Sequence, residues 1–184
     1  MRIEKLGRNF EIATRLVHFP LHPETPAAGR PLAEFYAGRN LDPEAMYTRM
    51  KTLMDAEGLP YGRRTHTYNS RLAQELGKWA DGEPGGAALH DALYQAYFVA
   101  GRNIGDPDTL VDIAGSVRLD AAAARRVLTG RSFKDAVDAD WARSREYGVT
   151  GVPTFVAGRY GVVGAQPYEV LEQLLDKAGA RRRA

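Results

Sequence analysis

Chemistry needs a nucleophile, a base or a metal cage, and this sequence offers few of them. Its 184 residues contain no cysteine, so it has neither a thiol nucleophile nor a disulfide framework. Of the histidines, His18, His22, His66 and His90, only the first pair has i, i+4 spacing, and Pro20 interrupts any helix that would align it. No metal site and no cofactor are expected. The glycines of GRNIGDP, from Gly101, lack phosphate-loop spacing and follow a helix rather than a strand. No Ser-His-Asp arrangement can be placed. No catalytic residue is assigned.

Binding residues are easier to find. Gly151-Val152-Pro153 leads into a strand, and Pro153 takes the first position, where a sheet tolerates a missing N–H. Read alone, it is an ordinary strand-opening proline. Arg102 ends a helix, where the dipole favours a cation; the other reading is contact with an anionic or peptide ligand. Tyr68, Asn69 and Arg71 form a polar cluster that reads first as helix capping. Trp79 and Trp141 have core spacing.

The elements that position these residues follow from periodicity and caps. Ile3, Leu6 and Phe10 read as the end of a helix, and Ile12–Phe19 as a strand closed by Pro20. Helical signals dominate up to Tyr147. Asp42-Pro43 and Asp106-Pro107 are caps followed by proline in the first turn. Met46, Met50, Leu53 and Met54 predict one apolar face; Leu72, Leu76 and Trp79 predict a second; Leu89, Leu93, Tyr97 and Ala100 predict a third. Asp120 caps an alanine-rich helix that Gly130 closes. Ser132 with Asp135 resembles a capping box, ahead of Val137, Trp141 and Tyr147. Thr154–Ala157 and Tyr160–Val163 then read as a hairpin turning at Gly158-Arg159. Pro167 opens a last helix with Val170, Leu171, Leu174 and Leu175 inside. The order predicts an α/β core with a helical insertion.

Composition narrows the class. A chain of this length buries roughly 70% of its unfolded surface. Basic residues exceed acidic ones by only 2, too few to argue for nucleic acid. Arg181, Arg182 and Arg183 supply more than that excess and read as a solvated tail. No apolar run approaches the ~18 residues of a membrane span. The charged start MRIEKLGRNFEIA does not resemble a signal peptide. The expectation is a soluble, cytoplasmic protein with no membrane partner.

Several motifs together carry a family resemblance: GVTGVPTFVAGRYGVVGAQPYEVLEQLL, FPLHPETP, TYNSRLAQELGKWA and AYFVAGRNIGDPDTLVDIA. They resemble the DsbA family of thioredoxin-like proteins, in its FrnE-like branch, over nearly the whole chain. The resemblance implies a thioredoxin-like core, residues 1–24 and 148–184, with an inserted all-helical domain, residues 25–147. It implies that Pro153 is the family's cis-proline. Gly151, Val152 and Pro153, with Tyr68 and Arg102, would then face substrate, with Val152 offering its N–H and C=O to an extended peptide. His22 would lie near that surface. It also implies thiol–disulfide oxidoreductase or isomerase chemistry: thiolate attack, a mixed disulfide, and resolution by a second cysteine.

The family's Cys-x-x-Cys precedes the point where the resemblance begins, at Arg2–Leu6, and so does its first, central strand. Two explanations stay open. Met1 is an internal methionine of a longer product, or the protein is a natural Cys-less relative. The first is favoured, because losing a central strand strips hydrogen bonds from both neighbours. The flanking strands, Ile12–Phe19 and Thr154–Ala157, are expected either to pair with each other or to stay apart around a slot that another chain or a shifted N-terminus fills. Exposed edges of that kind favour dimerisation.

The first functional expectation is a DsbA-family oxidoreductase that is redox-inactive as it stands. The alternative is a Cys-less thioredoxin-like protein that holds a peptide or a partner at the proline loop. A glutathione-dependent isomerase using a serine before Met1 is a minor third reading.

Overall fold

Three aspartates start helices in the computed structural model, which describes residues 2–37, 39 and 41–183; Met1, the expected internal methionine, lies outside them. Asp42 accepts from the N–H groups of Glu44 and Ala45 to open α3, Pro43–Ala56. Asp106 accepts from Thr109 to open α6, Pro107–Ser116. Asp120 accepts from Ala122 and Ala123 to open α7, Ala121–Gly130. Each cap is worth about 1 kcal/mol, because it satisfies N–H groups that the helix leaves without a partner. The remaining helices are α1 (Arg2–Asn9), α2 (Leu32–Ala37), α4 (Arg71–Ala80), α5 (Ala88–Tyr94), α8 (Lys134–Glu146) and α9 (Tyr168–Lys177). The strands are β1 (Arg30–Pro31), β2 (His66–Thr67), β3 (Thr154–Ala157) and β4 (Tyr160–Val163).

Contacts divide the chain into two units. One holds the residues up to Leu21 and those from Asp140 onward; the other runs from His22 to Ala139.

The helical unit is organised around Leu76, Leu89, Leu110 and Ile113, all fully or almost fully buried, with Trp79 and Leu128 beside them. α5 runs straight into a π turn, Gln95–Val99, closed by the bond from the Ala100 N–H to the Gln95 carbonyl at 2.9 Å. That wide turn changes the phase of the helix: Ala96 is buried, whereas Ala100, expected inside, is exposed. It also presents Tyr94, Tyr97 and Phe98 to the segment before β2. Tyr61 stacks between Tyr47 and Phe98, at 5.9 and 6.3 Å, and Arg64 lies over the Tyr97 ring at 4.4 Å. β1 and β2 pair antiparallel, Arg30 against Thr67. The expected methionine face of α3 is a correction. The helix has no fully buried residue, and Leu53 is 54% exposed. Tyr47, stacked on Tyr61, contributes ring packing where the methionine and leucine positions do not.

One charge lies inside this unit. Glu75 has no exposed surface. Arg71 Nε reaches its Oε1 at 2.6 Å, and Arg131 grips both oxygens at 2.7 Å. Burial would raise the Glu75 pKa, but the bonds from Arg131 and Arg71 outweigh it and the net shift is downward. Arg71 also bonds Asp138, which Lys134 holds from the other side.

The second unit packs Leu6 and Phe10 against Leu171, with Phe155 and Val162 from the sheet. β3 and β4 form an antiparallel hairpin with Ala157 opposite Tyr160, as the turn residues predict. Gly158 takes a positive φ of 58° there. Ile12–Phe19, expected as a strand, joins no sheet among the described residues, although the His18 N–H bonds the Asp140 carboxylate at 3.0 Å. From Ala13 to Val17 the backbone makes no hydrogen bond to any described residue. A strand is defined by its partner, and β3 uses its one paired edge on β4. Of the two expected outcomes, the flanking segments stay apart.

The arginine tail is exposed, as expected, and it is also tethered to the unit. The N–H of Arg183 bonds the Asn9 carbonyl at 2.9 Å, and Arg182 bridges to Phe10 as an isolated β pair. Glu11, Glu172 and Asp176 supply carboxylates to Arg181 and Arg182. The tail is docked because acids stand within its reach. Tyr147, expected inside its helix, is 56% exposed just past the end of α8.

Candidate functional site

The proline loop is built by a helix that stops and a strand that starts. α8 ends at Glu146, and Gly148 turns the chain at a φ of 64°. The Val152–Pro153 peptide is cis. Thr154 donates its hydroxyl to the Gly151 carbonyl at 2.6 Å, which ties the turn closed. The Pro153 carbonyl accepts from Gly164 at 2.7 Å. The Val152 N–H and C=O are left without a partner among the described residues, and the residue is 49% exposed. A residue with that geometry can pair with an extended chain.

Behind the loop runs a groove of about 820 Å³. It is lined by Ile12–Val17 and by Val152–Gly158. Leu6, Leu171 and Leu174 also line it, each nearly buried in the core. α8 and its end add Arg143, Ser144 and Tyr147. Two of its hydroxyls have work already, Ser144 donating to the Trp141 carbonyl and Thr154 to Gly151, and Thr14 and Tyr147 line it as well. The charged residues on the lining are Arg15 and Arg143, and no histidine, aspartate or glutamate joins them. The groove can bind. It holds no nucleophile paired with a base.

Gly151, Val152 and Pro153 are contiguous, and the last two line the groove. Tyr68 and Arg102 belong to the helical unit. Tyr68 stacks on His66 at 5.8 Å and meets Tyr97 edge-on. Its ring lies so close to Gly29 that any Cβ there would collide with it. Arg102 pairs with Asp112 at 3.4 Å on an exposed face. Asn69, one residue before the Ser70 N-cap, accepts from the Arg71 N–H at the start of α4 at 2.9 Å and donates to the Pro23 and Thr25 carbonyls. Asn103 donates to Ala27 in the same loop. The histidines have separate neighbours: His22 meets Phe35 and Glu24, His66 meets Thr65, and His90 meets Asp81. No metal-holding group of side chains occurs among the described residues.

Sequence reasoning missed Arg15, Arg143 and the groove itself. A signal was present: Leu16, Val17, Tyr147, Val152 and Val156 are apolar, and all are exposed and line this space. No single segment shows that they converge.

A crystal structure of a probable DsbA oxidoreductase from Streptomyces coelicolor superposes with a TM-score of 0.87 at 32% identity, over 97% of this chain and 82% of that one. A structure of 2-hydroxychromene-2-carboxylate isomerase superposes with a TM-score of 0.71 at 19% identity, over 97% of this chain and 85% of that one, a likeness of fold alone. Protein YwbO of Bacillus subtilis is 32% identical over 92 residues, 50% of this chain and 46% of the relative, so the match spans about half the length of that curated relative. No helix among the described residues is long and apolar enough to cross a membrane. The fold is thioredoxin-like, with helices and, among the described residues, two small sheets. The sequence matches the DSBA-like thioredoxin domain over residues 1–176, and the chain belongs to that family.

Proposed function

We propose that the protein takes the substrate-holding part in thiol–disulfide exchange, oxidation or isomerisation, and that these 184 residues do no redox chemistry by themselves. The observation that carries this is the Gly151–Pro153 turn, with the Val152 backbone unpaired among the described residues, in a chain without a cysteine. An extended peptide or protein disulfide pairs with Val152. Any thiolate that attacks the disulfide comes from outside these residues, forms a mixed disulfide and releases the substrate's other sulfur as a thiolate. Family membership and the likeness to a probable DsbA oxidoreductase support this reading.

The test is insulin reduction by the purified chain with dithiothreitol as electron donor. The expected rate equals that of dithiothreitol alone; turnover above it overturns the statement of inactivity. Reading the codons before Met1 tests the rest. An in-frame Cys-x-x-Cys there supports the oxidoreductase reading. A stop codon favours the second reading, a Cys-less protein that binds a peptide or partner at Val152, which the unpaired backbone there also supports.

A further inference from the structure

Every methionine among the described residues lies on one helix. Met46, Met50 and Met54 stand four residues apart on α3, so successive turns bring their side chains into one row. Their spacing predicts a core face, yet none is buried: Met50 is 39% exposed, and Met46 and Met54 are half-buried. None of the three belongs to either core cluster. Met50 comes one turn after Tyr47 and Met54 two turns after it, so the row runs beside that residue on the helix. Tyr47 begins a chain of half-buried rings. It stacks on Tyr61, Tyr61 stacks on Phe98, and Phe98 meets Tyr94 and Tyr97 at 5.2 and 4.7 Å. The chain has 4 methionines and no cysteine, so three of its four sulfur atoms stand in this row.

We propose that this row is a sacrificial oxidation site for small two-electron oxidants, hydrogen peroxide and hypochlorous acid, and that it shields the ring chain behind it. The thioether sulfur attacks a peroxide oxygen. An S–O bond forms, the O–O bond breaks and water leaves, so the sulfur loses two electrons and the peroxide gains them. With hypochlorous acid the net change at sulfur is the same, and chloride and a proton leave. A methionine sulfoxide reductase reverses the change: a dithiol supplies two electrons and becomes a disulfide, and the oxygen leaves as water. A sulfoxide is polar, and inside a core it would break the packing. On α3 the sulfurs lie outside both cores, so the helix takes up and returns oxygen without unfolding. Chlorination of a tyrosine ring has no such return path. Met50 is the most exposed of the three and reacts first. The inference does not rest on the proline loop or on thiol exchange, so the insulin assay and the experiment below can fail separately.

The experiment treats the full chain with hydrogen peroxide and follows each methionine by peptide mass spectrometry. Met50 should oxidise at least about twofold faster than Met46 and Met54, in line with its exposure. The circular dichroism spectrum should be retained, and methionine sulfoxide reductase with dithiothreitol should restore the original mass. Oxidation of Met46 or Met54 ahead of Met50 overturns the proposal, as does loss of helix once the row is oxidised. The second arm adds limiting hypochlorous acid to the native chain and to the triple variant Met46→Leu, Met50→Leu, Met54→Leu, which keeps side-chain size and helix propensity. Tyr160 and Tyr168, half-buried in the other unit, serve as controls. Chlorination of Tyr47 and Tyr61 should rise in the variant by about twofold more than that of the controls. An equal rise at all four tyrosines overturns the shielding. Where the variant does not fold, the native chain decides alone: chlorination of Tyr47 or Tyr61 before the α3 sulfoxides form overturns the proposal.

Discussion

The Arg131 guanidinium closes on the Glu75 carboxylate with one 2.7 Å bond to each oxygen, and it does so from a left-handed backbone, φ 52°. Glycine would suit that backbone better, yet only a long cation covers the buried acid. Removing Glu75 leaves two cations facing the space it filled. Glu75→Ala should destabilise the protein by about 3 kcal/mol, in the range for breaking a buried pair. Arg131→Gly should cost less, because Arg71 remains and the backbone relaxes. Urea denaturation with a shared slope would measure both.

The same cluster sets the acid limit. Lys134 first, and then Arg71, hold the Asp138 carboxyl down to about 2, and Glu75 is also shifted downward. A depressed folded-state pKa means that the unfolded state binds protons first as the pH falls. The stabilisation from these groups is therefore complete above the ordinary carboxylate range. It is lost as the pH drops from about 4 toward about 2. Thermal melts between those limits should fall steeply for the native protein and less steeply for Asp138→Asn.

Burial separates two leucines that look alike in the sequence. Leu76 is wholly enclosed and Leu53 is not. Leu76→Ala should cost about 2–5 kcal/mol. Leu53→Ala should stay within about 0.5 kcal/mol. Equal effects in denaturation would show that α3 is covered in solution.

Glycines separate in the same way. A Cβ on Gly86 would stand 1.7 Å from the Ala80 carbonyl oxygen, while one on Gly115 meets nothing. Gly86→Ala should lower the melting temperature. Gly115→Ala, inside α6, should stabilise by about 0.5 kcal/mol through helix propensity and a less flexible unfolded chain.

Local rules make most of the helices legible in the sequence. Asp42, Asp106 and Asp120 are caps because their side chains reach the next few N–H groups, a matter of nearby residues only. The β3–β4 hairpin is legible for the same reason. Ile12–Phe19 is not, because strand formation depends on a partner from elsewhere in the chain or outside it. The docking of Arg181–Arg183 depends on Glu11, Glu172 and Asp176, and no charge count shows that these meet. Arg71 stands one turn before Glu75 on α4, a local pair, but the second cation, Arg131, is brought to Glu75 only by tertiary packing, so the burial of Glu75 is not legible in the sequence. The proline loop is legible as a motif, but the groove behind it is a property of the packed unit.

The π turn at Gln95–Val99 has a genetic consequence. It is one residue more than a regular helix would use, so losing a codon there would locally improve the helix. The loss would also rotate everything downstream by about 100° and slide it by about 1.5 Å. Asn103 would then no longer meet the Ala27 carbonyl, nor the Gly62 N–H the Phe98 carbonyl. Single-codon deletions in this stretch should therefore be purged from a library of functional variants, although each of them repairs a local irregularity.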